Sequence, residues 1–226
     1  MWIDNRNCHE MDQTESGDVC MNREESVTAL KSICNGSRMS FLVSDVPVGI
    51  NKNSKVIMGI DEAGRGPLIG PMVYSAAYWD IDDTASIPTG LADSKVLSSV
   101  TRTKLLEEIQ ATDKIGFIVR VLHASEISSN MLRKEPYNLN AMSHDTAIQM
   151  IRSAIAAGVR IHTCYIDTVG PPESYKAKLD REFEGNKIIF VVEKKADAKY
   201  ACCSAASVGE LFFIKFMQRL SLFNQV

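Results

Sequence analysis

From Val56 onward, short apolar, β-branched runs alternate with stretches of helical periodicity, and acidic residues stand where the runs end. This alternation constrains the fold more than any other feature of the chain. Val56-Ile57-Met58-Gly59-Ile60 reads as a buried strand that stops at Asp61, followed by a turn-rich segment containing Gly64, Gly66, Pro67, Gly70 and Pro71. Residues 72–79 and 115–121 predict two more strands. Residues 161–166 predict another that stops at Asp167, and residues 188–192 a last one, which precedes a charged loop through Asp197. Helices are predicted over 101–110, capped by Ser98 or Ser99, and over 144–157, capped by Ser143 with Asp145 in the first turn. A third opens at Pro171-Pro172 and stops at Gly185, and a fourth starts near Ser204. The order predicts an α/β fold, with a mixed central β-sheet flanked by helices.

A chain of 226 residues holds one medium domain with room for a tail at either end. Residues 1–54 are polar and poorly periodic apart from Phe41-Leu42-Val43, so a poorly ordered leader is expected there. Met1 to Asn7 carry no basic-then-apolar signal, and no run reaches the length of a membrane span. Cys8, Cys20, Cys34, Cys164, Cys202 and Cys203 form no C-x-x-C pair, which reads as free intracellular thiols. His9, His123, His144 and His162 share no i, i+4 spacing, so a histidine metal site has little support.

The net charge of −3 argues against a nucleic-acid protein only until its distribution is considered. Residues 1–54 carry 8 acids and 5 bases, whereas 55–226 carry 20 of each. If four of the latter acids are metal ligands, the rest of that segment is net positive and suited to a phosphate backbone.

Adjacent residues on an extended chain face opposite ways, so Asp61 and Glu62 converge only if the glycine-rich turn bends the backbone there. Taken alone, the segment also reads as a tight turn with two solvated acids. Asp167 alone is equally a strand-end turn former, and Asp197 a solvated loop acid. Gathered in space, such carboxylates would repel one another and take up protons unless a cation joined them. Hard divalent ions relieve this because they prefer oxygen ligands, and a pair about 4 Å apart assists phosphoryl transfer.

Five stretches in order carry a specific resemblance: GIDEAGRGP (59–67), DSKVLS (93–98), YNLNAMSHDTA (137–147), YIDTVGPPESY (165–175) and KKADAKYACCSAAS (194–207). From about Val56 to Ser207 the chain resembles the catalytic A subunit of eukaryotic type 2 ribonuclease H. The resemblance implies a ribonuclease H-like catalytic domain over 55–207. It also implies Asp61, Glu62, Asp167 and Asp197 as metal ligands and catalytic residues for two ions of Mg²⁺ or Mn²⁺. Gly64-Arg65-Gly66 would sense the ribose 2′-hydroxyl, which distinguishes RNA from DNA. Lys95 would sit near the substrate phosphate, and Asn138 and Asn140 against the DNA strand, as would Ser143 and His144 unless they only cap a helix.

The implied reaction is hydrolysis of RNA/DNA hybrids, and of single ribonucleotides embedded in duplex DNA, leaving 5′-phosphate and 3′-hydroxyl ends. Nuclear residence follows from the family's role. After Val208 the pattern departs from the family, so 208–226 is expected as a divergent tail lacking a substrate tyrosine and most of the contact region for B and C subunits. The alternative expectation is a catalytically impaired isoform that binds nucleic acid.

Overall fold

The computed structural model describes residues 19–21, 41–65, 71–88, 90–91, 98–135, 137–168 and 170–209. Its strands are β1 (Val19–Met21), β2 (Phe41–Ser44), β3 (Val56–Ala63), β4 (Met72–Asp80), β5 (Gly116–Leu122), β6 (Ile161–Asp167) and β7 (Ile189–Glu193). The helices are α1 (Ser99–Ala111), α2 (Ala124–Met131), α3 (Leu139–Ala156), α4 (Pro172–Glu182) and α5 over residues 201–209. One sheet orders the strands β1-β2-β5-β4-β3-β6-β7. β3, β6 and β7 run parallel, while β4 and β5 are antiparallel to their neighbours, so the sheet is mixed. Helices flank it in the expected α/β arrangement.

Side-chain alternation along the strands divides the core into two layers. Val56, Met58 and Ile60 of β3, with Tyr74, Ala76 and Tyr78 of β4, pack on Met142, Ile148, Ile151 and Ala154 of α3 and on Tyr175 and Leu179 of α4. Ile57, Ala77, Trp79, Phe117 and Tyr165 turn to the other side, where Leu105 and Ile109 of α1 and Cys202, Cys203 and Ala206 of α5 cover them. Each fully buried aliphatic side chain contributes roughly 1.5–3 kcal/mol.

Several boundaries differ from the sequence expectation. The leader expected over 1–54 supplies β2, whose Phe41-Leu42-Val43 pairs with Ile118–Arg120 of β5. The short apolar patch is sheet, because its Phe41 is buried in the core. α3 starts five residues before the predicted His144: Asn138 caps it, its Oδ1 accepting from Ala141 N at 2.9 Å. Ser143 is therefore a buried mid-helix residue and not a cap. α4 ends at Glu182, a short 3₁₀ turn spans Glu184–Asn186, and Lys187, not Gly185, takes the left-handed backbone (φ 55°). α5 begins before Ser204. Most consequentially, β3 runs through Asp61 and Glu62 to Ala63, and the bend comes only at Gly64 (φ 81°).

Candidate metal centre

Three aspartates meet at one end of the sheet. β3 and β6 lie parallel with Ile60 opposite Ile166, so the next residues, Asp61 and Asp167, stand side by side. Alternation places Asp61 on the face of Ile57 and Gly59, and Asp167 on the face of Tyr165, the side covered by α5. Asp197 comes from the 3₁₀ turn Ala196–Ala198 between β7 and α5, entered through a left-handed Lys195 (φ 58°). Each carboxylate offers an oxygen, and these atoms lie within 4.8 Å of one another. Asp61 is 2% exposed and Asp197 3%, whereas Asp167 is half-buried.

Backbone amides orient all three. Asp61 Oδ1 accepts from Glu62 N at 2.8 Å, Asp167 Oδ1 from Ala196 N at 3.3 Å and Asp197 Oδ1 from Ala198 N at 3.0 Å. The approach of α5 depends on Gly59, where any Cβ would overlap the backbone of Cys202 and Cys203. The donor set suits a hard divalent cation, being made only of carboxylate oxygens. Burial pushes the Cys203 thiol beside it well up, with the neighbouring Cys202 and Asp61 adding to the effect.

Glu62 is not one of the group. With β3 straight through Ala63, its side chain follows the alternation to the opposite face, where its charge reinforces the burial that raises the Tyr175 hydroxyl. Its carboxylate lies 3.6 Å from Arg65 Nη1. Arg65 in turn donates from Nη2 to Asn140 Oδ1 and from Nη1 to Ser143 Oγ at 3.4 Å, and Ser143 Oγ accepts from Tyr74 Oη at 2.8 Å. A second, cationic and polar constellation thus sits beside the trio. His144 stacks on Tyr175 with ring centroids 3.7 Å apart. Burial, then the Lys178 ammonium, lower its pKa below the ordinary 6.5.

Of the other expected substrate residues, Asn140 is with Arg65, Asn138 is occupied as the α3 cap, and Gly66 and Lys95 lie outside the described residues. So does most of the expected tail, residues 210–226. The sequence expectation gave no site role to Tyr74 or to Tyr175. A buried tyrosine hydroxyl requires a polar partner, and that requirement was the available signal.

The ribonuclease HII family model matches residues 58–209, a span that holds the three aspartates, Glu62 and Arg65. The chain belongs to the ribonuclease HII family. It is 41% identical over 168 residues to the ribonuclease H2 A subunit of Homo sapiens, covering 74% of this chain and 55% of that protein. To the Dictyostelium discoideum counterpart it is 40% identical over 170 residues, covering 74% and 58%. Among solved structures, the ribonuclease HII of Archaeoglobus fulgidus, determined in complex with PCNA, superposes with a TM-score of 0.62 at 26% identity, covering 76% of this chain and 79% of that one. The chain spans about half the length of the curated relatives it matches. Among its described residues no helix is long and apolar enough to cross a membrane.

Proposed function

We propose that the chain is a type 2 ribonuclease H endonuclease, hydrolysing the RNA strand of RNA/DNA hybrids and single ribonucleotides embedded in duplex DNA. The observation that carries this reading is the convergence of Asp61, Asp167 and Asp197 within 4.8 Å at the end of the sheet. Those three carboxylates would hold divalent ions, two of Mg²⁺ or Mn²⁺, with Glu62 as a further acid at the same strand end. Bound there, such ions supply Lewis-acid stabilisation of the charge that develops on the phosphoryl group and on the leaving oxygen.

The chain's own residues supply the remainder. The backbone amides on Asp61, Asp167 and Asp197 fix the carboxylates before any ligand arrives, so little reorganisation is needed at the moment of reaction. Gly64 lets the backbone turn tightly after β3: it has φ 81°, and a Cβ there would lie 2.6 Å from the Pro71 carbonyl oxygen. Arg65, held by Glu62, Asn140 and Ser143, presents a fixed guanidinium to the nucleic-acid backbone, and the Gly64-Arg65-Gly66 stretch of the sequence senses the 2′-hydroxyl. The products carry 5′-phosphate and 3′-hydroxyl ends. Likeness to proteins named as A subunits of ribonuclease H2 supports a place in an enzyme of several chains; B and C partners and nuclear residence are part of the same proposal.

The test is incision of a duplex bearing one embedded ribonucleotide, in Mg²⁺, by the parent and Asp61→Asn chains. The parent is expected to cut 5′ to the ribonucleotide, and the variant to lose on the order of a hundredfold or more of that rate. Duplex binding by the parent without incision would instead favour a chain that binds nucleic acid but does not cut it.

A further inference from the structure

Several cations of the chain are tied to carboxylates. Lys199 is tied to Glu193, Lys178 to Asp145, Lys176 to Asp180 and Arg152 to Glu182. Lys194 and Lys195 differ: both are exposed, and neither has an ion-pair partner among the described residues. They follow β7 directly and precede the turn that carries Asp197. Lys195 also holds a left-handed backbone (φ 58°), a conformation that costs a residue with a Cβ roughly 1–2 kcal/mol and that glycine adopts freely. A lysine is therefore kept where the backbone would prefer a residue without a side chain.

The strand order gives these charges a setting. Arg65 follows β3, the two lysines follow β7, and β6 with Asp167 lies between them. Neighbouring strands are about 4.8 Å apart, so Arg65 and the two lysines follow strands roughly 10 Å apart, with β6 and its Asp167 between them. Three carboxylates repel a polyanion, and cations on both sides offset that repulsion. Lysines without carboxylate partners do so without breaking an existing ion pair.

We propose that Lys194 and Lys195 grip the phosphate backbone of a nucleic-acid duplex on the β7 side of the carboxylate centre, opposite Arg65 on the β3 side. The inference rests on the nucleic-acid reading above. Each lysine that neutralises a phosphate releases counterions, so binding weakens with salt by about 0.9 in log–log slope per contact. The experiment measures Kd for an RNA/DNA duplex across a salt series, in EDTA so that cleavage does not interfere.

The variants are Lys194→Gln with Lys195→Asn, since asparagine tolerates the left-handed backbone, and Lys187→Asn as control. Lys187 is likewise exposed and left-handed (φ 55°) but lies at the far end of β7. The double variant is expected to bind several-fold more weakly and to flatten the slope by about 1.8, with the control close to the parent. An unchanged slope in the double variant, or an equal loss in the control, overturns the assignment while the parent still binds. A parent chain that binds no duplex overturns the functional reading itself, and this inference with it.

Discussion

Asn138 and His144 show how one residue's partners decide its role. Asn138 Oδ1 is engaged by Ala141 N as the α3 cap, so Asn138→Ala should cost about 1 kcal/mol of stability in urea unfolding, and Asn138→Asp should restore most of it. A loss of duplex affinity with unchanged stability would mean that the side chain serves substrate instead. His144 has its pKa lowered below 6.5 by burial and then by Lys178, so the folded state resists protonating it. The unfolded chain then binds more protons below pH 6.5, and this contribution to stability is lost as pH falls through that value. For its neighbour Asp145, burial alone would raise the pKa, but bonds from Lys178 and Tyr137 hold it below 3.8, so its contribution disappears only at more acid pH. Melting temperatures of the parent and His144→Asn should therefore converge as pH falls below 6.5. Parallel pH profiles would show that His144 does not titrate differently on folding.

The elements were legible where period and punctuation agreed. β4, β5 and β6 lie within a residue or two of expectation, and α1 has its predicted Ser98 cap with Leu105 and Ile109 buried. α2 was not expected, because Ala-Ser-Glu-Ile-Ser-Ser-Asn-Met has low helical propensity and buries no residue. The start of α3 was misplaced because Ser143 reads as a cap in the sequence, whereas Asn138 fills that role and Met142 of the first turn already packs in the core. At the site, Asp61, Asp167 and Asp197 were visible as acids after apolar runs. That Glu62 falls outside this close grouping was not, because β3 continues to Ala63, and the glycines suggested an earlier bend. Gly59 was the least legible, since its meaning lies in α5, more than a hundred residues later. Gly59→Ala would force a methyl into the Cys202–Cys203 backbone, which cannot yield as a side chain tip can. The expected cost is about 3 kcal/mol in urea unfolding, near the upper end for overpacking. A change below about 0.5 kcal/mol, within the ordinary range for a surface substitution, would show that α5 does not press on β3.

At the scale of the whole molecule, the mixed sheet gathers residues from three distant parts of the sequence. β3 and β6 place Asp61 and Asp167 side by side, and the turn from β7 into α5 returns Asp197 to them. Arg65, Asn140 and Ser143 form a separate polar group nearby; under the proposed function the carboxylates take the cations and this group the nucleic acid. The most direct measurement is anomalous diffraction from crystals of the chain soaked in Mn²⁺. The predicted result is anomalous density in contact with the carboxylate oxygens of Asp61, Asp167 and Asp197, absent from Asp167→Asn crystals. Density at other acidic residues, or none at this trio at saturating Mn²⁺, would contradict the account.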